Sequence, residues 1–276
     1  MTEPFGQRLW ATIERCGPLC VGIDPHAELL AAWGLPDDAD GAERFGRTVV
    51  SALAGAVAVV KPQSAFFERF GSRGVAALER VLADARAADL LCITDVKRGD
   101  IGTTAAAYAR AYLDPASPLY SDAITVSPYL GFGSLRPFLD AAAAHGGGVF
   151  VLALTSNPDG PQVQHAVGAD GRTVAGTMLA AVREHNGDAQ PQGSVGAVVG
   201  ATIGDTAENL AINGPLLVPG LGAQGGSGSD LERIFGGLGR HVVPSVSREI
   251  LRVGPDERAL REAAIRAGHG YARVLG

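Results

Sequence analysis

Eight short apolar runs, each closing in polar, glycine or proline residues, restrict most tightly how this 276-residue chain can fold. They are LCVGID (19–24), AVAVVKPQ (56–63), LLCITDVK (90–97), DAITVSP (122–128), GGVFVLALT (147–155), VGAVVGAT (195–202), PLLVPGL (215–221) and HVVPSVS (241–247). Each is almost continuously apolar rather than alternating. Strands read that way when both faces are covered, as in a parallel sheet flanked by helices. Apolar residues recur at helical spacing over 67–89, 103–113, 135–145, 177–185 and 230–238, between most of the runs. The gap between the sixth and seventh runs is shorter, and TAENLAI (206–212) leaves room for about two helical turns. Strand–helix alternation builds right-handed βαβ units. Eight such units in about 250 residues match the count and length of a (β/α)8 barrel.

The expected fold is therefore α/β: one TIM-barrel domain over 1–276, with an extra N-terminal helix at 3–15 carrying Phe5, Leu9 and Ile13 on one face. A doubly wound open sheet is the rival, and eight runs favour closure. Loops are expected at 34–42, 156–175 and 186–194, and the unit after the fifth run carries an insertion over 156–194.

Charge narrows the function classes. The net charge of −6 steers the chain toward neither nucleic acid nor an anionic membrane, so an anionic substrate needs a local basic site. Cys16, Cys20 and Cys92 lack metal spacing and are odd in number, which fits reduced core thiols in the cytosol better than a disulfide scaffold. The N-terminus does not read as a signal peptide, and no apolar run is long enough to span a bilayer. The six histidines form no ligand pair, and there is no nucleophile elbow, Walker loop or GxGxxG after the first strand. Neither a metal nor a cofactor is expected.

A barrel carries its active site at the C-terminal ends of its strands. Here those ends supply Asp24, Lys61, Asp95, Lys97, Asp100, Ser127, Gln224, Ser247 and Arg248. Asp95 and Lys97 are two apart on a strand and point the same way, inward in a barrel. A salt-bridged strand end with a helix cap would account for them alone. Lys61 shifts the balance, because a lone buried charge at the neighbouring strand end would be costly. A Lys–Asp–Lys–Asp array satisfies each charge and fixes an ammonium where a developing carbanion could use it. The glycine-rich stretch VPGLGAQGGSGSD (218–230) follows run seven and VSREI (246–250) follows run eight, the two loops between which barrels commonly bind phosphate. Arg248 would be a bidentate phosphate ligand there. A flexible loop and a surface arginine remain the plain alternatives.

DVKRGDIGTT (95–104) resembles the Asp-x-Lys-x-x-Asp-Ile-x-x-Thr signature of the orotidine 5′-phosphate decarboxylases. The likeness extends through VGIDPH (21–26), VKPQSAFFERFG (60–71), TVSPYLG (125–131), PGLGAQGG (219–226) and SREIL (247–251), in forms similar to the longer bacterial branch. It implies decarboxylation of orotidine 5′-monophosphate to UMP, the last step of pyrimidine synthesis, without a cofactor. It implies Lys97 as the proton donor to C6 and Asp95 beside the substrate carboxylate. Asp24 and Lys61 would hold the ribose hydroxyls, and Ser127 would touch the pyrimidine. Gln224 and Arg248 would bind the phosphate while the loop 219–228 closes over the ligand, and Pro219 and Ser247 are counted among the substrate-binding positions. Asp100 and Thr104 would reach the partner's site in a homodimer. Two departures stand out: Ser247 precedes the phosphate arginine where many relatives have glycine, and 156–194 is longer than in compact members. Three other readings remain: a Mg2+-dependent sugar-phosphate decarboxylase of the same fold, a Schiff-base aldolase, and a non-catalytic nucleotide-phosphate sensor.

Overall fold

All eight apolar runs form strands in the computed structural model, which describes residues 3–222 and 225–276. They are β1 (Cys20–Ile23), β2 (Val59–Pro62), β3 (Leu91–Arg98), β4 (Ala123–Val126), β5 (Gly148–Leu154), β6 (Val195–Val199), β7 (Leu216–Val218) and β8 (Val242–Val246). Each pairs in parallel with the next, and β8 returns to β1 through Cys20↔Ser245 and Val21↔Val246. That last pairing decides for the closed barrel against the open sheet.

The helices are α1 (Phe5–Cys16), α2 (Ala27–Ala32), α3 (Ala39–Leu53), α4 (Ala65–Glu68), α5 (Gly71–Ala87), α6 (Gly102–Leu113), α7 (Arg136–His145), α8 (Pro161–Gln164), α9 (Val174–Asn186), α10 (Gly228–Phe235), α11 (Arg248–Leu251) and α12 (Glu257–Leu275). The predicted loop 156–175 holds the single helical turn α8, and two further expectations fail for identifiable reasons. Part of the predicted loop 34–42 is helical, because the Asp38 carboxylate caps the Gly41 N–H at 2.8 Å and starts α3. Phe45, Val49 and Leu53 then bury one face of that helix. Conversely, 206–212 forms no helix. Thr206 Oγ1 and Asn209 Oδ1 accept from the N–H two residues on, at 3.2 and 2.9 Å, turns that compete with helical hydrogen bonding. Arg183 holds the carbonyls of Asn209 and Ala211 from outside.

Strand residues alternate between two cores. Val21, Ile23, Val60 and Cys92 face outward to the helices. Cys20, Val59, Ile93, Phe150 and Val243 face inward. The inner core is sealed at the barrel's base by α1, whose Phe5, Leu9 and Ile13 recur every four residues and join that cluster. The Phe5 ring meets Phe150 edge-on, with centroids 5.9 Å apart and planes at 85°. Gly148 makes the approach possible, since a Cβ there would lie 2.3 Å from Phe5 Cδ1. Burial of side chains this size stabilises by about 2 kcal/mol apiece. Cys20 and Cys92 are buried core thiols, as expected. Among the described residues, no helix is long and apolar enough to cross a membrane.

Candidate active site

Above the inner core the same inward-facing positions turn polar. Two residues beyond Val59 on β2 stands Lys61, and two beyond Ile93 on β3 stands Asp95. Both are buried, at 6% and 7% exposure. The Asp95 carboxylate accepts from Lys61 Nζ at 3.0 Å on Oδ2 and from Lys97 Nζ at 2.7 Å on Oδ1. The Thr125 hydroxyl on β4 adds a third bond to Oδ1, also at 2.7 Å. Burial alone would raise the Asp95 carboxyl, but the two ammonium charges and the hydrogen bonds hold it well below the usual carboxylate range. Burial alone would lower the Lys61 ammonium, but Asp95 and Asp24 outweigh it and raise it above its ordinary value. Both groups are thus charged at neutral pH, and neither can swing away without stranding the other.

Lys97 is held differently. Its side chain is 45% exposed, and its backbone adopts φ of 45°, in the left-handed region uncommon for residues with a side chain. The β3–β4 register shifts between Thr94 and Arg98, so Lys97 sits in a bulge. Its N–H donates to Thr125 Oγ1 at 3.0 Å. Thr125 therefore supports both the anion and the backbone of the partly exposed cation. Backbone conformations of this kind cost about 1–3 kcal/mol and concentrate at functional sites.

These groups line a cavity of 210 Å³ at the C-terminal mouth of the barrel. Asp24, Pro219, Ser247 and Arg248 line it too. Asp24 Oδ1 and Ser247 Oγ are buried without a hydrogen-bond partner among the described residues, acceptor and hydroxyl both unused. Gly22 lets them converge, since a Cβ there would lie 2.9 Å from both Asp24 Oδ2 and Ser247 Cβ. The Arg248 guanidinium is exposed and pairs with no described carboxylate. One wall, from β1, β2, β3 and β8, is charged; the opposite wall carries Leu152, Thr155, Val198 and Leu217. A larger cavity of 480 Å³ lies at the other end of the barrel, where Glu14 and Arg240 neutralise each other. It has no counterpart to the array.

The orotidine 5′-phosphate decarboxylase / HUMPS family matches residues 17–263 of the chain. The chain belongs to that family. A Streptomyces coelicolor protein named orotidine 5′-phosphate decarboxylase is 63% identical over 265 residues, spanning 96% of this chain and 95% of its own length. A Corynebacterium efficiens protein of the same name is 50% identical over 266 residues, 95% of each chain. A crystal structure from Streptomyces avermitilis, described as an orotidine 5′-phosphate decarboxylase, has a TM-score of 0.97 at 62% identity and covers 99% of this chain and 96% of its own.

Against the family signature, the residues singled out from sequence divide into those at the cavity and those away from it. Asp24, Lys61, Asp95, Lys97, Pro219, Ser247 and Arg248 meet there. Gln224 lies outside the described residues. Asp100 and Thr104 do not line the cavity; the Asp100 carboxylate accepts from the Ile101 N–H at 2.8 Å, and Thr104 is exposed on the first turn of α6. Within one chain the array is thus Lys61–Asp95–Lys97, not the four-charge set. Ser127 is also off the cavity, its N–H bonded to the Arg98 carbonyl at 2.8 Å. Sequence reasoning missed Gly22, Gln63, Thr125, Leu152, Thr155 and Ser245. Inward alternation would have found Thr125, two before Ser127, and Thr155 is the polar residue that closes the fifth run.

Proposed function

We propose that the chain converts orotidine 5′-monophosphate to UMP and CO2, with Lys97 as the acid. The observation that carries the reading is an Asp95 carboxylate held by Lys61, Lys97 and Thr125 at the mouth of a barrel with a sealed base. The C6–carboxylate bond breaks and its electron pair stays on C6. A Lys97 N–H proton then forms the C6–H bond, and the partly exposed amine regains its proton from solvent. The carbanion's charge is met by an ammonium already in place, and each preorganised donor of this kind is worth about 3 kcal/mol of barrier. Asp95 would stand beside the departing carboxylate. Asp24 and Lys61 would take ribose hydroxyls, which suits the unpartnered Asp24 Oδ1. Arg248, with Gln224, Ser247 and Pro219, would take the phosphate, whose binding energy can be used to close the site and raise kcat.

The enzyme works in the cytosol as a homodimer with shared sites, Asp100 and Thr104 serving the partner's cavity. What supports this is an Asp100 carboxylate without a described cation, beside exposed apolar residues on neighbouring loops: Ile101 at 63%, Tyr129 at 79% and Leu130 at 53%. Mixing Asp100→Ala with Lys97→Ala chains should restore one working site per heterodimer; no recovery would place Asp100 in its own chain's chemistry.

The activity is tested by the loss of orotidine 5′-monophosphate absorbance with EDTA present. Turnover by wild type and near-silence in Lys97→Ala is expected. No turnover by folded wild type would overturn the reading, and turnover of a sugar phosphate only with Mg2+ would replace it.

A further inference from the structure

The stretch after β5 has no part in that chemistry, yet it grips the cavity wall. α8 turns Gln164 back onto Thr155, the cavity-lining residue at the end of β5. Gln164 Oε1 accepts from the Thr155 N–H at 2.9 Å, and Gln164 Nε2 donates to Thr155 Oγ1 at 2.6 Å. A backbone N–H can only donate, so it fixes which way round the amide lies. The Thr155 hydroxyl must accept from Gln164, and its own proton goes to Asn157 Oδ1, 2.6 Å away. One lone pair of the hydroxyl is left. Gly160 leaves room for this knot, since a Cβ there would lie 3.2 Å from Gln164 Oε1, Thr155 Oγ1 and Asn157 O alike.

The far end of the stretch is anchored as well. Val167 bridges Thr173 in antiparallel fashion. The Thr173 hydroxyl donates to Glu208 Oε1 at 2.5 Å and caps α9 by accepting from Gly176 N at 2.8 Å. A floppy insertion would need neither tie. This one is a strap, fastened at the β6–β7 connection and delivering one amide to the site wall.

We propose that Gln164 is a positioning residue for the reaction: acting through Thr155, it sets the β5 rim of the cavity and presents the Thr155 hydroxyl as a fixed acceptor for an N–H or O–H of the bound nucleotide. The proposal rests on the function inferred above. A hydroxyl free to rotate could offer a lone pair or a proton; the clamped one offers a lone pair only.

The test is a double-mutant cycle on Gln164→Ala and Thr155→Val, read as UMP affinity by calorimetry and as kcat/KM. Each single change is expected to lower both by about tenfold, and the pair by no more than either, the pattern of residues acting as a unit. Melting temperatures should stay within a few degrees of wild type. Gln164→Glu keeps the acceptor for the N–H but loses the donor to Oγ1, and should remain impaired. Unchanged affinity and kcat/KM in Gln164→Ala, independent additive losses, or wild-type behaviour of Gln164→Glu would each overturn the proposal. Absence of turnover in wild type would instead sink the decarboxylase reading, while the UMP affinities still decide the clamp.

Discussion

The two ends of this barrel are built from the same strands, two residues apart, and solve opposite problems. At the base, Val59 and Ile93 point inward and meet Phe5, Leu9 and Ile13 of α1. At the mouth, Lys61 and Asp95 point inward in the same register and meet each other. The base lowers its free energy by excluding water from apolar surface, which is non-directional and tolerant of detail. The mouth must recover two desolvated charges by geometry, which tolerates little. One end is a plug and the other a preorganised field, and a step of two along a strand separates them.

The largest effect should come from breaking the mouth. Lys61→Met leaves a buried Asp95 with Lys97 as its remaining cation and an Asp24 charge beside it. Removing one partner of such a pair costs about 3–5 kcal/mol. Chemical denaturation should show that loss, and decarboxylation should vanish with it.

The base should break differently. Phe5→Ala removes a fully buried ring from the plug and should cost about 3–5 kcal/mol, because the surroundings collapse only in part. For a chain this long that corresponds to roughly 10 °C in Tm. Activity per folded molecule should survive, since no charge at the mouth is touched. A kcat that fell in proportion to stability would erase the distinction between the two ends.

The comparison can be sharpened by pH. The Asp95 carboxyl is lower in the folded chain than in the unfolded one, so its stabilisation is present above the ordinary value of about 3.9 and lost as pH falls toward the depressed one. The Lys61 ammonium is raised, so its stabilisation is complete below the ordinary value of about 10.4 and lost as pH rises through the folded one. Melting curves should therefore show an Asp95→Asn deficit that is level between about pH 5 and 9 and narrows below about pH 4. The Phe5→Ala deficit should have no such shape.

The smallest effect concerns Cys20, which shares the inner core below Lys61. Burial pushes its thiol up to about 11. Iodoacetamide at pH 8 should label the partly exposed Cys16 first and leave Cys20 and Cys92 unmodified in folded protein, as peptide mass mapping would show. Early labelling of Cys20 would mean that the inner core opens.

Much of this was legible along the chain. The eight strands announce themselves because each is buried on both faces and so reads as an unbroken apolar run. α1 was legible because Phe5, Leu9 and Ile13 keep one face over three turns. The start of α3 was not, because its signal is a single Asp38 cap inside a polar stretch. The segment 206–212 misled for the opposite reason: its composition suits a helix, but Glu208 and the carbonyls of Asn209 and Ala211 are engaged by Thr173 and Arg183 from α9 and its N-cap. Propensity is a weak prior, and such tertiary partners override it.

The sequence alone determined the barrel, the apolar face of α1 and the charged character of the barrel's mouth, because burial pattern and residue type are local properties. Only the tertiary structure decided which polar residues share the cavity. It brought in Thr125, Thr155 and Gly22 and left Asp100, Thr104 and Ser127 outside. It also decided that Lys97 sits in a bulge with a left-handed backbone, and that an insertion expected to be a loop reaches back to clamp Thr155. The reason is geometric: a strand end fixes a direction, but closure, register shifts and loop return decide which directions converge within a few ångströms.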